Sequence, residues 1–474
     1  MSGFTTVIGL EVHVQLATRS KLFSPAPAEA LGEPNTRVHA IDLGLPGVLP
    51  RLNRTAVSLA VRAALALEGE VQERSLFARK NYFYPDLPKG YQISQYEEPF
   101  CRGGRVPLGG ERHCRLHRIH IEEDAGKLVH TDAGTLVDLN RAGTPLVEIV
   151  SEPELRSPAD AAAFLVNLRE ILRYCGVSDC DMELGSMRCD ANISLMPAGA
   201  AVFGTKVELK NLNSIKMVQR ALEYEERRQT AILAAGGRVA AETRAWVDER
   251  GESRPLRSKE NAPDYRYFPD PDLPPLVLDA GFVAAERAAL GELPAQRRAR
   301  YASAFGLPDY DIGVLTQDHR LGEWFEAVVA AGADPKTASN WVMTDVLQAL
   351  RERRQSLAEL PLSPARLAGL LRVVADGAIT TTAAHKAFAH MLDRDVDAAA
   401  AVQALGLSRL TDPAELLPLV TAAIAALPGA AADVRQGIER PLDALKGHVM
   451  RATRGRADPH VVEALLRQAI AARP

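Results

Sequence analysis

Acidic side chains in three separate segments could together bind a divalent cation. In VIGLEVHVQL, Val7 to Leu16, Glu11 and His13 alternate with aliphatic residues and would therefore share one face of a strand. HIEEDAGK, His120 to Lys127, contains three consecutive acids, and KVELKN adds Glu208. Consecutive carboxylates repel one another, so several of them held at low dielectric require a cation or protons. Carboxylates with one imidazole suit Mg²⁺ better than they suit structural zinc.

Each segment also has an interpretation without a metal. The polar side of the first segment could be the solvated face of an antiparallel sheet, and the acidic run could be a turn in water. RCDANIS and KVELKN place alternating polar residues on one side of two strands, which cross-strand ion pairs alone would explain. These residues are Arg188, Asp190, Asn192 and Ser194 on one segment and Lys206, Glu208 and Lys210 on the other.

The segment RKNYFYPDLPKGYQISQ, from Arg79 to Gln95, concentrates rings and cations in a chain that is only 5% aromatic. Pro85 and Pro88 remove backbone donors and interrupt any periodic pattern, so the segment is typical of a fixed loop. Rings stack on bases and cations offset phosphate charge, which favours a nucleotide or polyphosphate ligand. The alternative is a surface loop that buried tyrosines hold in place. The lysines that could meet phosphate are Lys80, Lys89, Lys127 and Lys206.

Several familiar site types are missing from the sequence. There is no GxxxxGK[ST] loop, no GxGxxG opening a helix, and no Gly/Ser-rich stretch that would house an amidase nucleophile. A nucleotide would therefore have to bind through an uncommon fold.

Composition indicates a soluble, reduced protein. The 474 residues carry a net charge of -4, which argues against coating nucleic acid through the overall field. No apolar stretch is long enough for a membrane span, and the N-terminus lacks the basic region of a secretion signal. The five cysteines form no CxxC pair, so we expect free thiols and a cytoplasmic protein.

The two halves of the chain follow different patterns. Before about residue 276, alternating segments predict strands at 7–16, 115–123, 187–195 and 205–210, and a helix begins at Pro158 after the N-cap Ser157. Beyond it, capped amphipathic helices follow one another, starting at Asp334-Pro335, Ser363-Pro364, Asp412-Pro413 and Asp458-Pro459. Residues 250–276 are charged and proline-rich and indicate an ordered edge or hinge. The pattern predicts a mixed α/β domain followed by all-helical ones.

A basic patch lies in the last helical region. Residues 440–456 contain five cations against one acid, in an otherwise acidic chain. Such a patch can bind backbone phosphates, although a solvated helix end would have the same composition.

Blocks along the whole chain resemble the GatB family, the B subunits of tRNA-dependent amidotransferases. The resemblance rests on VIGLEVHVQL, LGLPGVLPRLN, RKNYFYPDLPKGYQISQ, IHIEEDAGK, NRAGTPLVEIVSEPE, RCDANIS, VELKNLNS, DYRYFPDPDLPPL, KTASNWVM and HVMRATRGRADPHVVEALL. It implies a heterotrimer with an amidase subunit, GatA, and a small subunit, GatC. It implies ATP-dependent phosphorylation and then amidation of the side chain on Glu-tRNA(Gln) or Asp-tRNA(Asn), with ammonia channelled from the glutaminase subunit.

The resemblance also implies an architecture. An α+β cradle domain, built on an antiparallel or mixed β-sheet and holding the kinase site, would span residues 1–292. An all-α helical domain would span 293–405, and an all-α YqeY-like tail that binds tRNA would span 406–474.

Site roles carry over to matching positions of this sequence. The metal ligands implied are Glu11, His13, Glu123 and Glu208, and His13 stands out because magnesium usually prefers oxygen. The catalytic residues implied are Lys80, Lys89, Glu122, Lys127, Asp190 and Lys206. The ATP-binding loop would use Asn81, Tyr82, Tyr84, Tyr91, Gln92 and Ser94. The tail would contact tRNA through Arg440, Lys446, His448, Arg451, Arg454 and Arg456.

One segment departs from the family pattern. Many relatives place cysteines of a zinc knuckle where this chain has Ser24, Ala26, His39 and Asp42. We therefore predict no zinc, and we expect packing and hydrogen bonds to hold this segment.

Two other function classes compete with this interpretation. A non-catalytic tRNA-binding scaffold would have no need of Glu11, His13, Glu123 and Glu208 on separate strands. An isolated metal-dependent hydrolase is disfavoured because no clear nucleophile and base accompany the carboxylates.

Overall fold

The computed structural model describes residues 3–29, 31–258 and 264–472. The chain forms two compact units, Met1–Pro294 and Ala295–Pro474. Residues 259–263 of the predicted hinge lie outside the described residues. The domain boundaries near residues 293 and 406 stay predictions.

The first unit holds the strands. They are β1 (Phe4–Gln15), β2 (Glu70–Val71), β3 (Arg74–Ser75), β4 (Ala78–Asn81), β5 (Tyr91–Ser94), β6 (Cys101–Arg102), β7 (Arg105–Gly109), β8 (Arg112–Glu123), β9 (Lys127–Thr131), β10 (Gly134–Asp138), β11 (Pro145–Ser151), β12 (Met187–Pro197), β13 (Val207–Lys210), β14 (Glu242–Val247), β15 (Glu252–Ser258), β16 (Phe268–Pro269) and β17 (Leu276–Val277).

Helices lie in both units. They are α1 (Arg54–Ala66), α2 (Pro158–Tyr174), α3 (Ile215–Ala234), α4 (Ala280–Ala288), α5 (Pro294–Phe305), α6 (Asp309–Leu315), α7 (His319–Ala330), α8 (Pro335–Trp341), α9 (Leu347–Arg353), α10 (Pro364–Ala375), α11 (Thr381–Arg394), α12 (Ala398–Ala404), α13 (Pro413–Ala426), α14 (Pro428–Arg435), α15 (Arg440–Ala452) and α16 (Pro459–Ala471). A π-helical segment, Val342–Val346, joins α8 to α9.

The large sheet of the described chain has the strand order β15-β14-β13-β12-β1-β11-β8-β6-β2, with β7 also paired to β8. All its pairs are antiparallel except β13 with β14. The sheet is therefore mixed, and the all-helical region follows it, which confirms the predicted fold class.

The central strand β1 is amphipathic in the manner that the sequence predicts. Ile8, Leu10, Val12 and Val14 are buried, and they belong to one core with residues of α1, α2 and α3. Since side chains of a strand alternate between faces, Glu11, His13 and Gln15 lie on the opposite side of the sheet. The helices thus cover one face, and the polar face remains for the site.

The predicted helix caps are confirmed. Ser157 accepts a hydrogen bond from the backbone N–H of Asp160 at the start of α2, followed by a proline in the first turn. In the second unit Asp334, Ser363, Asp412 and Asp458 do the same for α8, α10, α13 and α16. Each cap satisfies a backbone donor that the helix itself leaves unpaired.

The second unit has two separate apolar cores among its described residues. One core runs from Tyr301 to Leu407, and the other runs from Leu416 to Ile470. Among described residues, no single helix is long and apolar enough to span a membrane, and α13 with α14 meets that criterion only as a pair bent by 98°.

The segment predicted as one loop is a hairpin. β4 and β5 pair antiparallel, Ala78 facing Ser94 and Asn81 facing Tyr91, and only residues 82–90 form a loop. The prediction was wrong at the two ends because both prolines lie inside the connection, which leaves the flanking residues free to pair.

All five cysteines are free and buried. Burial raises the pKa of the thiols of Cys101, Cys114, Cys175 and Cys180 to about 12. It also raises the pKa of the Cys189 thiol well above its ordinary value. They pack as small apolar side chains.

A buried ion pair fastens the segment that contains Ser24, Ala26, His39 and Asp42, for which we predict no zinc. Lys21 is fully buried, and its Nζ lies 3.1 Å from Oδ2 of Asp42. The same Oδ2 accepts a hydrogen bond of 2.9 Å from the backbone N–H of His39. Asn53 caps α1 and donates to the backbone carbonyls of Ser20 and Lys21. A salt bridge and hydrogen bonds therefore hold this segment, as expected from the sequence.

Breaking this pair should destabilise the first unit strongly. Asp42→Asn keeps an acceptor for His39 but leaves the Lys21 charge buried and unpaired, which typically costs about 3–5 kcal/mol. The free energy of unfolding can be measured in urea from the emission of Trp246, with Trp324 and Trp341 replaced by phenylalanine in every variant. Arg105→Met, which breaks an exposed pair with Glu68, is the control and should cost at most about 1 kcal/mol. Equal effects of the two changes would contradict the role given to Lys21 and Asp42.

Candidate functional site

Strand register places ionisable residues side by side on the polar face of the sheet. Glu148 on β11 lies opposite His120 on β8 and opposite His13 on β1. His13 lies in turn opposite Arg188 on β12. Directly opposed residues of antiparallel strands point to the same face, so the four side chains form a row of neighbours across four strands.

Glu122 joins His13, His120 and Glu148 of this row, so that two carboxylates and two imidazoles meet. His13 Nε2 lies 3.4 Å from Oε1 of Glu122 and 3.4 Å from Oε2 of Glu148. His120 Nε2 lies 3.2 Å from Oε2 of Glu148 and 3.6 Å from Oε2 of Glu122. We call these four residues the acidic cluster. Glu122, Glu148 and His120 are buried, and His13 is half-buried.

The charges of the acidic cluster depend on one another. Burial disfavours the charged ring of His120, but Glu148 and Glu122 outweigh it and raise its pKa to about 9. The pKa of His13 is raised as well, because Glu148 and Glu122 outweigh burial and the opposing charge of Arg188. Burial and repulsion by Glu148 act to raise the pKa of Glu122, but the two imidazole rings outweigh them and lower it. The same rings overcome burial and hold the pKa of Glu148 well below its usual range. Cationic rings thus neutralise two carboxylates away from water.

The acidic cluster has the composition and spacing of a cation site. One ligand atom from each of His13, Glu122 and Glu148 lies within 4.8 Å of the others, and no other such trio occurs among the described residues. Nδ1 of His120 is buried without a hydrogen-bond partner, although a buried ring nitrogen normally has one. Two carboxylate oxygens with one imidazole fit Mg²⁺ or Mn²⁺. His120, whose Nε2 lies near both carboxylates, would orient them.

The hairpin β4–β5 supports the acids from one side. Ser94 Oγ donates to Oε2 of Glu122 at 3.0 Å. The backbone N–H of Ile93 donates to Oε1 of Glu123 at 2.9 Å, and Gln92 Nε2 donates to the backbone carbonyl of Glu123 at 2.6 Å. Glu123 also forms a salt bridge with Lys89. The hairpin thus fixes Glu122 and ties Glu123 to Lys89.

Tyrosines and a lysine lie near the acids. Lys80 Nζ lies 4.9 Å from the ring centroid of Tyr265 and 5.9 Å from that of Tyr82. Burial and the charge of Glu122 raise the pKa of both Tyr82 and Tyr267 above the ordinary value. Tyr267 stacks on Tyr96 at 4.2 Å. Rings with an adjacent ammonium form a wall that suits an aromatic, anionic ligand.

Other residues of the predicted ATP-binding loop are exposed or make contacts that stabilise the hairpin. Asn81 Nδ2 donates to the backbone carbonyl of Arg266 at 2.8 Å. The Arg79 guanidinium lies 4.2 Å from the ring centroid of Tyr91, and Tyr84 is exposed.

The structure does not bring the four metal ligands implied by the sequence into one group. Glu123 points away from its neighbour Glu122, as alternation along β8 requires, and binds Lys89. Glu11 accepts a 3.1 Å hydrogen bond from Asn192. Glu208 lies two strands from β1, where it accepts 2.7 Å from Thr243 Oγ1. Of the four, only His13 belongs to the acidic cluster.

The remaining residues given catalytic roles are dispersed. Asp190 forms a salt bridge with Lys210. Lys127 begins the β9–β10 hairpin and is exposed. Lys206 is also exposed, and it lines the same cavity as Glu11.

Sequence reasoning missed Glu148, His120, Tyr265 and Tyr267. A signal existed for each residue, since Glu148 is the one charge in the apolar run LVEIV and His120 precedes the acids by two residues. Both tyrosines lie in DYRYFPD, which contributed only to the family resemblance. The register that unites them joins strands distant in sequence and cannot be read from either segment alone.

The tail places only part of its basic patch in solvent. Arg440, Arg451 and Arg454 are exposed, and His448 is half-buried. Lys446 forms salt bridges with Asp443 and Glu463. Arg456 donates to the backbone carbonyls of Thr453 and Gly406. Those last two cations are therefore engaged within the protein.

Comparisons with known proteins agree along the whole chain. The model of the GatB/GatE catalytic domain matches residues 6–284, and that of the GatB domain matches residues 323–470. The B subunit of the aspartyl/glutamyl-tRNA(Asn/Gln) amidotransferase of Enterococcus faecalis is 47% identical over 474 residues, covering 99% of this chain and 100% of the relative. The corresponding protein of Geobacillus kaustophilus is 48% identical with the same coverage. That of Staphylococcus epidermidis is 47% identical over 468 residues, 98% of each chain.

Glu148→Gln should weaken divalent-cation binding at least about tenfold, because it removes a charged ligand and loss of even an outer partner costs about 10–100-fold. Mn²⁺ titration followed by electron paramagnetic resonance measures the affinity. Glu208→Gln is the matched control and should change it little. The wild-type affinity should rise with pH up to about 9, as the rings lose the protons that Mn²⁺ must displace. A stronger loss in Glu208→Gln than in Glu148→Gln would restore the ligand set implied by the sequence.

Proposed function

We propose, from the premise that this chain belongs to the GatB family of aspartyl/glutamyl-tRNA(Asn/Gln) amidotransferase B subunits, that its acidic cluster is the kinase centre of the amidotransferase. The enzyme is an ATP-dependent carbon-nitrogen ligase of protein biosynthesis. The supporting observation is the convergence of His13, Glu122 and Glu148, from three different strands, beside a wall of rings and lysines.

The proposed reaction has two steps. First, an oxygen of the side-chain carboxylate on Glu-tRNA(Gln) or Asp-tRNA(Asn) attacks the γ-phosphorus of ATP, and ADP leaves, which gives an acyl phosphate. Ammonia then attacks the activated carbonyl carbon, phosphate leaves, and the nitrogen loses a proton to give the amide. Such phosphoryl transfer is accelerated mainly by positioning and by stabilising charge on the transferring oxygens.

His13, Glu122 and Glu148 would hold Mg²⁺ in this proposal, with His120 setting the orientation of both carboxylates. Mg²⁺ held by these residues would supply positive charge that neutralises the phosphate oxygens. Ser94 keeps Glu122 in place through its 3.0 Å hydrogen bond. Because these groups are buried and packed, the site is preorganised and loses little free energy to reorganisation during the reaction.

The lysines of the β4–β5 hairpin serve the phosphate side. Lys80 lies over Tyr265 and can turn its ammonium to a phosphate oxygen without leaving the ring wall. Lys89 is held by Glu123 and lies 5.5 Å from the Tyr91 ring. Glu123 therefore acts in this proposal by positioning Lys89, at the phosphate or at the route by which ammonia arrives.

The nitrogen must come from a partner. The relatives are named as subunits, and this sequence has no amidase nucleophile motif. We infer a heterotrimer with GatA as glutaminase and GatC as small subunit, acting in the cytoplasm and without zinc. The tRNA would contact the exposed arginines of the tail, so that loss of residues 406–474 would affect tRNA binding more than ATP binding.

Glu122→Gln should lower ADP formation by the reconstituted heterotrimer with mischarged tRNA at least about 100-fold, because several kcal/mol of charge stabilisation depend on the ion. Coupled ADP detection measures the rate, and the glutaminase activity of the same preparation shows that the complex has assembled. Glu154→Gln, which removes the charge that pairs with Arg115 at the surface, is the control and should keep the wild-type rate. Undiminished acyl-phosphate formation by Glu122→Gln would contradict a kinase role for the acidic cluster. The protein would then be interpreted only as a tRNA-binding scaffold.

Arg451→Gln combined with Arg454→Gln should weaken tRNA binding and reduce its salt dependence, by about one unit of log–log slope for each phosphate that the protein no longer neutralises. Filter binding at several salt concentrations measures both quantities. Arg467→Gln also removes a tail arginine, but one that Glu439 and Glu463 already neutralise, so its effect should be small. An unchanged slope in the double variant would place the tRNA-binding surface elsewhere.

A further inference from the structure

Arg188 on β12 ends the row of ionisable residues that crosses the sheet. The row runs from His120 on β8 through Glu148 and His13 to Arg188, because these residues are directly opposed in the strand register. The β4–β5 hairpin, which donates to Glu122, lies at the β8 end of this row. Arg188 therefore lies at the opposite end, and the reaction as proposed gives it no part.

One buried carboxylate fixes the guanidinium of Arg188. Its Nη2 donates to Oδ2 of Asp124 at 2.8 Å, and Asp124 is buried. The same Oδ2 lies 3.5 Å from Nε of Arg141 and accepts a 3.4 Å hydrogen bond from Nε2 of Gln15. Arg141 is itself held by a 3.0 Å bond to the backbone carbonyl of Ala125. Asp124 thus has a fixed position, and it orients Arg188.

The Arg188 guanidinium has donors left for a ligand. A guanidinium carries five N–H groups, and among the described residues the bond to Asp124 is the only hydrogen bond that this one donates. Nε is buried without a hydrogen-bond partner, which is costly for a donor. An anionic oxygen bound here would relieve that cost, since charge-assisted hydrogen bonds are the strong ones in proteins.

The half-buried guanidinium remains charged beside the cation site. Burial disfavours its charged form, but Asp124, Glu122 and Asp190 outweigh burial and raise the pKa of Arg188. Burial and the charge of Arg188 both oppose protonation of His13, whose pKa the neighbouring glutamates nevertheless raise. A fixed positive charge therefore lies within electrostatic reach of the acidic cluster.

A polar cavity of about 240 Å³ opens at the end of β1. Its lining includes Gln15, Thr18, Thr144, Ser178, Asp179 and Ser186. Gln15 lies two residues beyond His13 on the same strand face, about 7 Å further along an extended chain. Its backbone N–H donates to the carbonyl of Ser186 at 2.8 Å, and Ser186 precedes Arg188 by two residues. The cavity therefore adjoins the Arg188 end of the row.

The position of Arg188 favours a carboxylate ligand over a phosphate. Lys80 and Lys89 of the hairpin approach from the β8 end, where the phosphates are proposed to lie. In phosphoryl transfer the attacking oxygen is in line with the leaving oxygen and opposite to it. The attacking group would then approach from the other end of the row, where Arg188 lies. A planar guanidinium also matches the geometry of a carboxylate.

We propose that Arg188 binds the side-chain carboxylate of the aminoacyl group on mischarged tRNA, and that the cavity beside Gln15 and Ser186 receives the rest of that group. This inference rests on the proposed function and names how that site binds its acceptor substrate. One carboxylate oxygen accepts from the guanidinium, and the other is directed at the γ-phosphorus. Because the amidated product has a neutral side chain, Arg188 also distinguishes substrate from product.

Arg188→Gln should weaken binding of Glu-tRNA(Gln) to the reconstituted heterotrimer about 10- to 150-fold, the range for a hydrogen bond to a charged group. Binding of the product Gln-tRNA(Gln) should change little, because its side chain carries no charge. Filter binding without ATP measures both affinities, and contacts with the tRNA body cancel in their ratio. Arg254→Gln, which breaks an exposed pair with Glu252 on the same sheet, is the matched control and should leave the ratio unchanged.

Two further measurements separate a binding role from a structural one. Arg188→Lys keeps the charge but loses the planar fork, so it should bind Glu-tRNA(Gln) more tightly than Arg188→Gln and less tightly than the wild type. Mn²⁺ affinity, followed by electron paramagnetic resonance, should not fall in Arg188→Gln, because a positive charge near the acidic cluster has been removed. Urea unfolding of each variant distinguishes loss of binding from loss of fold.

Equal loss of Glu-tRNA(Gln) and Gln-tRNA(Gln) binding in a folded Arg188→Gln would overturn the assignment, since Arg188 would then serve the tRNA body. A rise in KM for ATP with unchanged Glu-tRNA(Gln) binding would overturn it too, because the ligand would then be a phosphate. Neither result touches the kinase proposal, which depends on loss of ADP formation in Glu122→Gln. Undiminished ADP formation in Glu122→Gln would refute the kinase centre itself, so the two claims fail by different measurements.

Discussion

The site depends on keeping two carboxylates ionised away from water. Glu122 and Glu148 are buried at neighbouring positions of β8 and β11, where mutual repulsion and desolvation both favour protonation. Two imidazoles, His13 and His120, oppose that tendency by lying between them. Without the register that aligns these strands, the carboxylates would have to separate or take up protons. The sheet is therefore part of the chemistry as well as its support.

The elements around the sheet can be understood from this constraint. The aliphatic face of β1 is covered by helices in one core, which fixes the strand's register because a slip of one residue would bury Glu11 and His13. On the polar side the β4–β5 hairpin supplies donors to Glu122 and Glu123. In the second unit, proline-led caps begin helices that carry no part of this cluster.

Much of the fold could be predicted from local sequence. Alternation identifies β1, and a capping residue followed by proline identifies α2, α8, α10, α13 and α16, since both signals act within a few residues. The hairpin within Arg79 to Gln95 was predicted as a single loop. That prediction assumed that the two prolines prevent regular structure in residues beyond those whose conformation they constrain. The residues that make up the site were harder to predict. Glu122 and His13 were identified from residue type, but Glu148 depends on which strand lies between β8 and β1, a matter of long-range pairing. Residue type and the family resemblance both indicated Glu123 and Glu208, whose partners here include Lys89 and Thr243.

The burial of every cysteine has an implication for how the protein meets its surroundings. Because burial raises the pKa of every thiol well above neutral pH, almost no thiolate exists there, and the sulfurs are covered by the core. Peroxide and electrophiles attack the thiolate form, so they have no ready target among these side chains. Oxidants would then not reach the polar face of the sheet through sulfur chemistry, and the five buried thiols resist crosslinking.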